Sequence, residues 1–239
     1  MKIAGHTAHI TSLFESTPQY FRSYLAEDTS EFSILVTREN IDFEQQDLLD
    51  EAHRDGFKPR VFTDPFLERA AVQRAFAEYL FDHDILLFHG SAVAVDEEGF
   101  LFTAHSGTGK STHTRLWKQV FGDRAMIVND DKPFLELRQG GVWLHGSPWS
   151  GKHGLDANVC VPLKGLCILE RGKENSIHPV TDEEALPMLQ KQAYRPLTAE
   201  KESQFLTLTK RLSCLVPLWK LSCTKDPEAA QVAYMNMHK

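Results

Sequence analysis

From residue 85 onward the chain is built of short apolar runs separated by turn-forming clusters. Ile85-Leu86-Leu87-Phe88, Ala92-Val93-Ala94-Val95 and Phe100-Leu101-Phe102-Thr103 each have strand length, and Asp96-Glu97-Glu98-Gly99 supplies a turn between the last two. This pattern predicts three strands, two of them in a hairpin. Residues 112–120 turn to helical spacing, and Ala125-Met126-Ile127-Val128 reads as a buried strand that stops at Asn129-Asp130-Asp131. Further strands are expected at 134–137, 142–144 and 166–169, and helices at about 182–192 and 202–213.

Ahead of residue 85 the pattern is looser. Apolar runs such as Phe32-Ser33-Ile34-Leu35-Val36 alternate with charged stretches such as Glu44-Gln45-Gln46-Asp47, which reads as a small α+β region. From Pro65 to about His83, Phe66, Ala70, Val72, Phe76, Tyr79 and Leu80 recur at mostly helical spacing, with Asp64 placed as an N-cap before a first-turn proline. That helix is expected to pack on the core that follows. The expected division is therefore a small α+β region over 1–64 and a core over 65–239. Strands and helices alternate too irregularly for a plain doubly wound sheet, so the fold class expected is α/β with a mixed sheet containing several antiparallel pairs.

The chain has 239 residues, enough for one substantial domain with a smaller appendage. Its formal charge of -7 gives no general field for a polyanion, which argues against nonspecific nucleic-acid binding. Any nucleotide has to be held by local groups. The four cysteines, Cys160, Cys167, Cys214 and Cys223, form no C-x-x-C pair and read as reduced thiols of a cytoplasmic protein. No stretch has the length and apolarity of a signal-peptide core or a membrane span, so neither export nor a membrane partner is expected.

One segment changes this picture of an ordinary globular chain. Ala104-His105-Ser106-Gly107-Thr108-Gly109-Lys110-Ser111-Thr112 follows a predicted strand and opens a predicted helix, the setting a phosphate-binding loop requires. Gly107 and Gly109 permit the backbone to turn and to approach a ligand closely, so that successive N–H groups of Ser106 to Ser111 face phosphate oxygens. The helix N-terminus adds partial positive charge. Lys110 is expected to reach the terminal phosphates, Ser111 to join the coordination sphere of Mg2+, and Thr112 to supply a second hydroxyl. Ala104 stands where the stricter motif has glycine. The competing reading is a glycine-rich turn with a surface lysine.

Asn129-Asp130-Asp131 ends a strand downstream of this loop, where one carboxylate can meet the metal and the other can take a proton from a hydroxyl. Acidic pairs after strands also form ordinary turns. His89, between two predicted strands, is placed to hydrogen-bond one of the aspartates, with a plain turn histidine as the alternative. Gly146-Ser147-Pro148-Trp149-Ser150-Gly151-Lys152-His153 reads either as a loop closing on nucleotide, with Lys152 among the binding groups, or as a loop stapled by a buried tryptophan. Arg195 is a candidate for contact with transferring phosphate, against the alternative of a surface arginine in a turn.

His89-Gly90, Ser106-Gly107-Thr108-Gly109-Lys110-Ser111 and Asn129-Asp130-Asp131 together resemble, in order and spacing, the catalytic half of the HPr kinase/phosphorylase family. The nucleotide site also looks like that of ATP-dependent phosphoenolpyruvate carboxykinases, which share that fold. The likeness covers about residues 85 to 170. It implies a mixed-sheet P-loop core with ATP and Mg2+ held by Lys110 and Ser111, Asp131 at the metal, Asp130 as proton acceptor supported by His89, and an arginine for which Arg195 falls at a suitable distance. A symmetric homo-oligomer is also implied. The family's glutamate-arginine-glycine signature is read as missing, with Ser147-Pro148-Trp149-Ser150-Gly151-Lys152 in the corresponding stretch, so neither HPr itself nor the reverse phosphorylase reaction is expected.

The resulting expectation is a divergent kinase that moves the γ-phosphoryl group of ATP to a hydroxyl of a protein, peptide or small molecule. The alternative is a regulator or scaffold that binds ATP without transferring it, and a carboxykinase-like chemistry is a distant third.

Overall fold

The computed structural model describes residues 1–54 and 56–238, and the chain divides into two compact units, Met1–Leu80 and Phe81–Lys239. In the first unit β1 (Lys2–Ile3) and β2 (His6–Thr11) form an antiparallel pair; after the short α1 (Ser16–Tyr20), β3 (Phe32–Leu35) returns parallel to β2. Two longer helices follow, α2 (Arg38–Arg54) and α3 (Asp64–Phe81).

Polar groups fix α3 within this unit. Glu68 is fully buried on it and accepts bonds from the amides of Leu13 and Phe14 and from the Thr17 hydroxyl. Arg74 pairs with Glu44 and, at 2.6 Å, with Asp47 of α2, while Tyr79 stacks on Phe32 at 3.8 Å between centroids. The sequence reading gave this helix to the core that follows and set the break at 64/65. The compact unit runs to Leu80 because these partners all lie before it.

The second unit is a mixed α/β structure. Its strands are β4 (Ile85–Leu87), β5 (Ser91–Val95), β6 (Glu98–Thr103), β7 (Ala125–Asn129), β8 (Phe134–Arg138), β9 (Gly141–His145), β10 (Cys160–Arg171), β11 (Ser176–Pro179) and β12 (Leu218–Cys223). The helices are α4 (Lys110–Phe121), α5 (Asp182–Gln192), α6 (Glu202–Leu215) and α7 (Glu228–Met237). The sheet runs β4-β8-β9-β10-β6-β5-β7, with β12 also on β10 and β11 on β12. β6 and β12 pair parallel to β10, and the pairs β4/β8, β8/β9, β9/β10, β5/β6, β5/β7 and β11/β12 are antiparallel.

Burial on both faces explains why these strands read as unbroken apolar runs. Along β5, Ala92 and Ala94 join one core with Ala185, Leu189, Phe205, Leu208 and Leu212 of α5 and α6. Val93 and Val95 face the opposite core, with Trp117 of α4 and Ala229, Ala230, Ala233 and Met237 of α7. The β5–β6 turn is tight, with Asp96 and Glu97 both at positive φ (51° and 66°), the conformation that matches the twist of a two-residue hairpin. Among the described residues no helix is long and apolar enough to cross a membrane.

Candidate active site

β6 ends at Thr103 and the chain passes through buried Ala104 into a loop that leads to α4 at Lys110. Gly107 (φ 77°) and Gly109 (φ 123°) hold conformations that side chains with a Cβ rarely adopt, so the loop curls back before the helix starts. His105, Ser106 and Gly107 are exposed and Thr108 to Ser111 half-buried, which leaves the loop open on one side. Thr112 is exposed on the first turn of α4.

The Lys110 side chain folds back over the loop, its Nζ 3.4 Å from the Ala104 carbonyl. Burial lowers its pKa, and the neighbouring Lys132 ammonium lowers it further; Asp131 and then Asp130 pull it the other way. The loop lysine and both aspartates of the Asn129-Asp130-Asp131 run therefore act on one another across the same space.

These aspartates are held differently. Asp130 is buried, and its Oδ1 accepts the Ser91 hydroxyl at 2.6 Å. Ser91 Oγ in turn lies 2.7 Å from Thr114 Oγ1 on α4, so a hydroxyl pair links the phosphate-loop helix to this carboxylate. Asp131 is half-buried; its Oδ1 is 3.4 Å from His89 Nε2 and its Oδ2 is 4.0 Å from Lys132 Nζ. The partner of His89 is thus Asp131, not Asp130. Burial, then Lys132 and Lys110, push the His89 pKa down to about 2, so its imidazole is neutral at ordinary pH.

Backbone and side-chain bonds lock this corner. The His89 amide donates to the Gln192 carbonyl at 2.8 Å, Thr103 Oγ1 donates to the His89 carbonyl at 3.1 Å, and the Gly90 amide donates to the Asp131 carbonyl at 3.0 Å. Asn129 Oδ1 accepts the amides of Asp131 (2.8 Å) and Lys132 (2.6 Å), and its Nδ2 donates to the Ser147 carbonyl at 2.8 Å. Ser147 Oγ then donates to the Lys132 carbonyl at 2.6 Å. The 146–153 loop is in this way sewn to the acidic turn. Its Trp149 is buried and meets Phe134 edge-on, which fits a stapled loop, while Lys152 is exposed in the turn Gly151–His153.

Arg195 carries its guanidinium to Glu202 (3.1 Å) and over the Phe205 ring (4.6 Å). The arginine at the loop is Arg171, which donates to the carbonyls of Gly107 and, at 3.3 Å, Thr108. It belongs to a Glu-Arg-Gly run, Glu170-Arg171-Gly172, at the end of β10; the neighbouring Glu170 is paired with Lys220 at 2.9 Å. A cavity of about 360 Å³ lies between His105–Thr108 and Leu169–Arg171. Arg171, Lys132, Ser91 and Thr114 were not singled out from the sequence. Lys132 carried a local signal, its place directly after the paired aspartates, and so did Arg171: the glutamate-arginine-glycine run that the sequence reading took as missing stands at 170–172, at the end of the strand beside the loop and not at 147–152.

Among the described residues no group of three or more His, Cys, Asp or Glu side chains is arranged to hold a metal ion alone. The two groups that the sequence reading assigned to Mg2+, the Ser111 hydroxyl and the Asp131 carboxylate, are hard oxygens of the kind that ion takes when phosphates and water complete its octahedron. The residues fit such an ion only in company with a polyphosphate.

No protein-family model and no curated protein matches the chain. Among solved structures, the HPr(Ser) kinase/phosphatase from Coxiella burnetii aligns with a TM-score of 0.38 at 10% identity, covering 64% of this chain and 99% of that chain. A likeness of that degree carries no inference about activity, which rests on the side chains described above.

Proposed function

We propose that this chain is an ATP-dependent phosphotransferase that moves the γ-phosphoryl group to a hydroxyl of a protein, peptide or small molecule. The observation that carries the reading is the Lys110 ammonium, set between the first carbonyl of a strand–loop–helix phosphate cradle and two strand-end carboxylates.

In this reading the amides of Ser106 to Ser111 and the N-terminus of α4 receive the polyphosphate. Ser111 and Asp131 would hold Mg2+, which would supply neutralisation of phosphate charge. Lys110 orients the terminal phosphate. Asp130 takes the proton as the acceptor oxygen forms its bond to phosphorus, and the bond to the β–γ bridging oxygen breaks with its electron pair leaving on ADP. Ser91 and Thr114 keep Asp130 in register with α4. Neutral His89 orients Asp131. Lys152 and Arg195 keep the nucleotide-binding and phosphate-contact roles expected of them if the loops that carry them close on the ligand.

Labelled ATP incubated with hydroxyl acceptors tests the reading. Transfer is expected to fall by a factor on the order of 10² to 10⁴ in Asp130→Asn and to vanish in Lys110→Ala. Full transfer in Asp130→Asn removes the base. A protein that binds ATP and transfers nothing, to water or to any acceptor, is the ATP-binding regulator instead.

A further inference from the structure

Two lysines face the space between the phosphate loop and the aspartates, and the motif accounts for only one of them. Lys132 is the largest charge influence on Lys110, and the two ammoniums together act on His89. Like charges converge in this way only where something offsets their repulsion, and the carboxylates nearby do so incompletely. Asp131 Oδ2 lies 4.0 Å from the Lys132 ammonium, beyond hydrogen-bond reach. Asp130 Oδ1 is already taken by Ser91.

The backbone beneath Lys132 is fixed at both ends. Its amide donates to Asn129 Oδ1 at 2.6 Å and its carbonyl accepts Ser147 Oγ at 2.6 Å, while the next residue is a proline that caps the freedom of the turn. The Lys132 side chain therefore starts from a fixed point, and its ammonium rests beside Asp131 within charge reach of Lys110.

We infer that Lys132 is a second phosphate-binding cation, contacting the terminal phosphate of a nucleoside triphosphate from the side opposite Lys110. The inference rests on the proposed nucleotide site and adds to it a group that tells triphosphate from diphosphate. Lys110 lies over the start of the loop and Lys132 stands beside Asp131, on the side of the proposed base, so in this inference Lys110 takes the β- and γ-phosphates and Lys132 the last phosphate alone. The transferring phosphoryl group then sits between two ammoniums, and each contact strengthens as charge gathers on its outer oxygens.

The test is calorimetric binding of ADP and of a β,γ-imido ATP analogue, each with Mg2+, to wild type, Lys132→Gln and Lys132→Arg. Lys132→Gln is expected to weaken the triphosphate analogue roughly tenfold and to leave ADP unchanged, and Lys132→Arg to restore most of the difference. Equal loss for both ligands, or no loss for either, overturns the role of Lys132 while leaving the nucleotide site standing. Wild-type protein that binds neither ligand overturns the site itself, and the inference with it.

Discussion

Replacing Ser91 by alanine removes the hydroxyl that donates to Asp130, and its cost follows from the geometry. Ser91 is fully buried and Asp130 is 6% exposed, and the O–H···O⁻ bond between them is 2.6 Å long, a charge-assisted contact of the stronger kind. Losing it leaves a buried carboxylate oxygen without its donor, which costs about 1.5–3 kcal/mol. All four tryptophans, Trp117, Trp143, Trp149 and Trp219, lie within residues 81–239, so urea unfolding followed by tryptophan fluorescence reports on the second unit alone. A cycle with Asp130→Ala isolates the pair: removing the serine after the aspartate is already gone is expected to cost about 1–2 kcal/mol less than removing it first. If the two costs add to within about 0.3 kcal/mol, the hydroxyl does not hold the carboxylate and the link from α4 to Asp130 through Ser91 is wrong.

Arg171→Gln takes the guanidinium from the Gly107 and Thr108 carbonyls, and nucleotide affinity is expected to fall roughly tenfold as the cradle loosens; an unchanged Kd would exclude Arg171 from shaping the loop. His113, buried between Phe102 and Trp117 and accepting the Trp117 indole N–H at 3.1 Å, has its pKa lowered by burial from 6.5 to about 3. Its folded pKa lies below its unfolded one, so its acid penalty is absent above about pH 6.5 and grows as pH falls, by about 1.4 kcal/mol per pH unit down to the folded pKa. His89 contributes in the same direction. Urea midpoints measured from pH 7.5 to 5 are expected to fall less steeply in His113→Phe than in wild type, and parallel slopes would contradict the assignment.

The core of the site was legible because its signals are local. The strand before the loop, the glycines inside it and the helix after it occupy consecutive residues, and the acidic pair ends an apolar strand that period and length alone identify. The helix expected at 182–192 matches α5 because Thr181 caps it through the Glu184 amide and three acidic residues fill its first turn. α2 escaped because its buried residues are only Ile41 and Glu44, so a charged helix shows almost no apolar stripe. The first part of β10 escaped for another reason: Val161, Leu163 and Gly165 alternate with exposed Pro162 and Lys164, but the proline and the glycine read as breakers of a strand.

What the sequence did not disclose were contacts across many residues. His89 faces Asp131 instead of Asp130 because the Gly90 amide and the Asp131 carbonyl bond the two turns together, a register no local pattern encodes. Arg195 falls at a suitable distance along the chain, but that spacing does not disclose the partners its guanidinium takes here, Glu202 and the Phe205 ring. Arg171 lies more than sixty residues beyond the loop whose carbonyls it grips.

That grip comes from the unequal lengths of two neighbouring strands. Ile168 of β10 pairs with Thr103, the last residue of β6, and β10 then runs on to Arg171 along the flank of the loop. The overhang works as a splint: the curl at the head of α4 is braced by a strand that has outlasted its partner. A single residue inserted between Gly165 and Ile168 would turn the side chains beyond it to the opposite face of the sheet and carry Arg171 about 3.3 Å along its strand, leaving the loop's own sequence untouched and its brace gone.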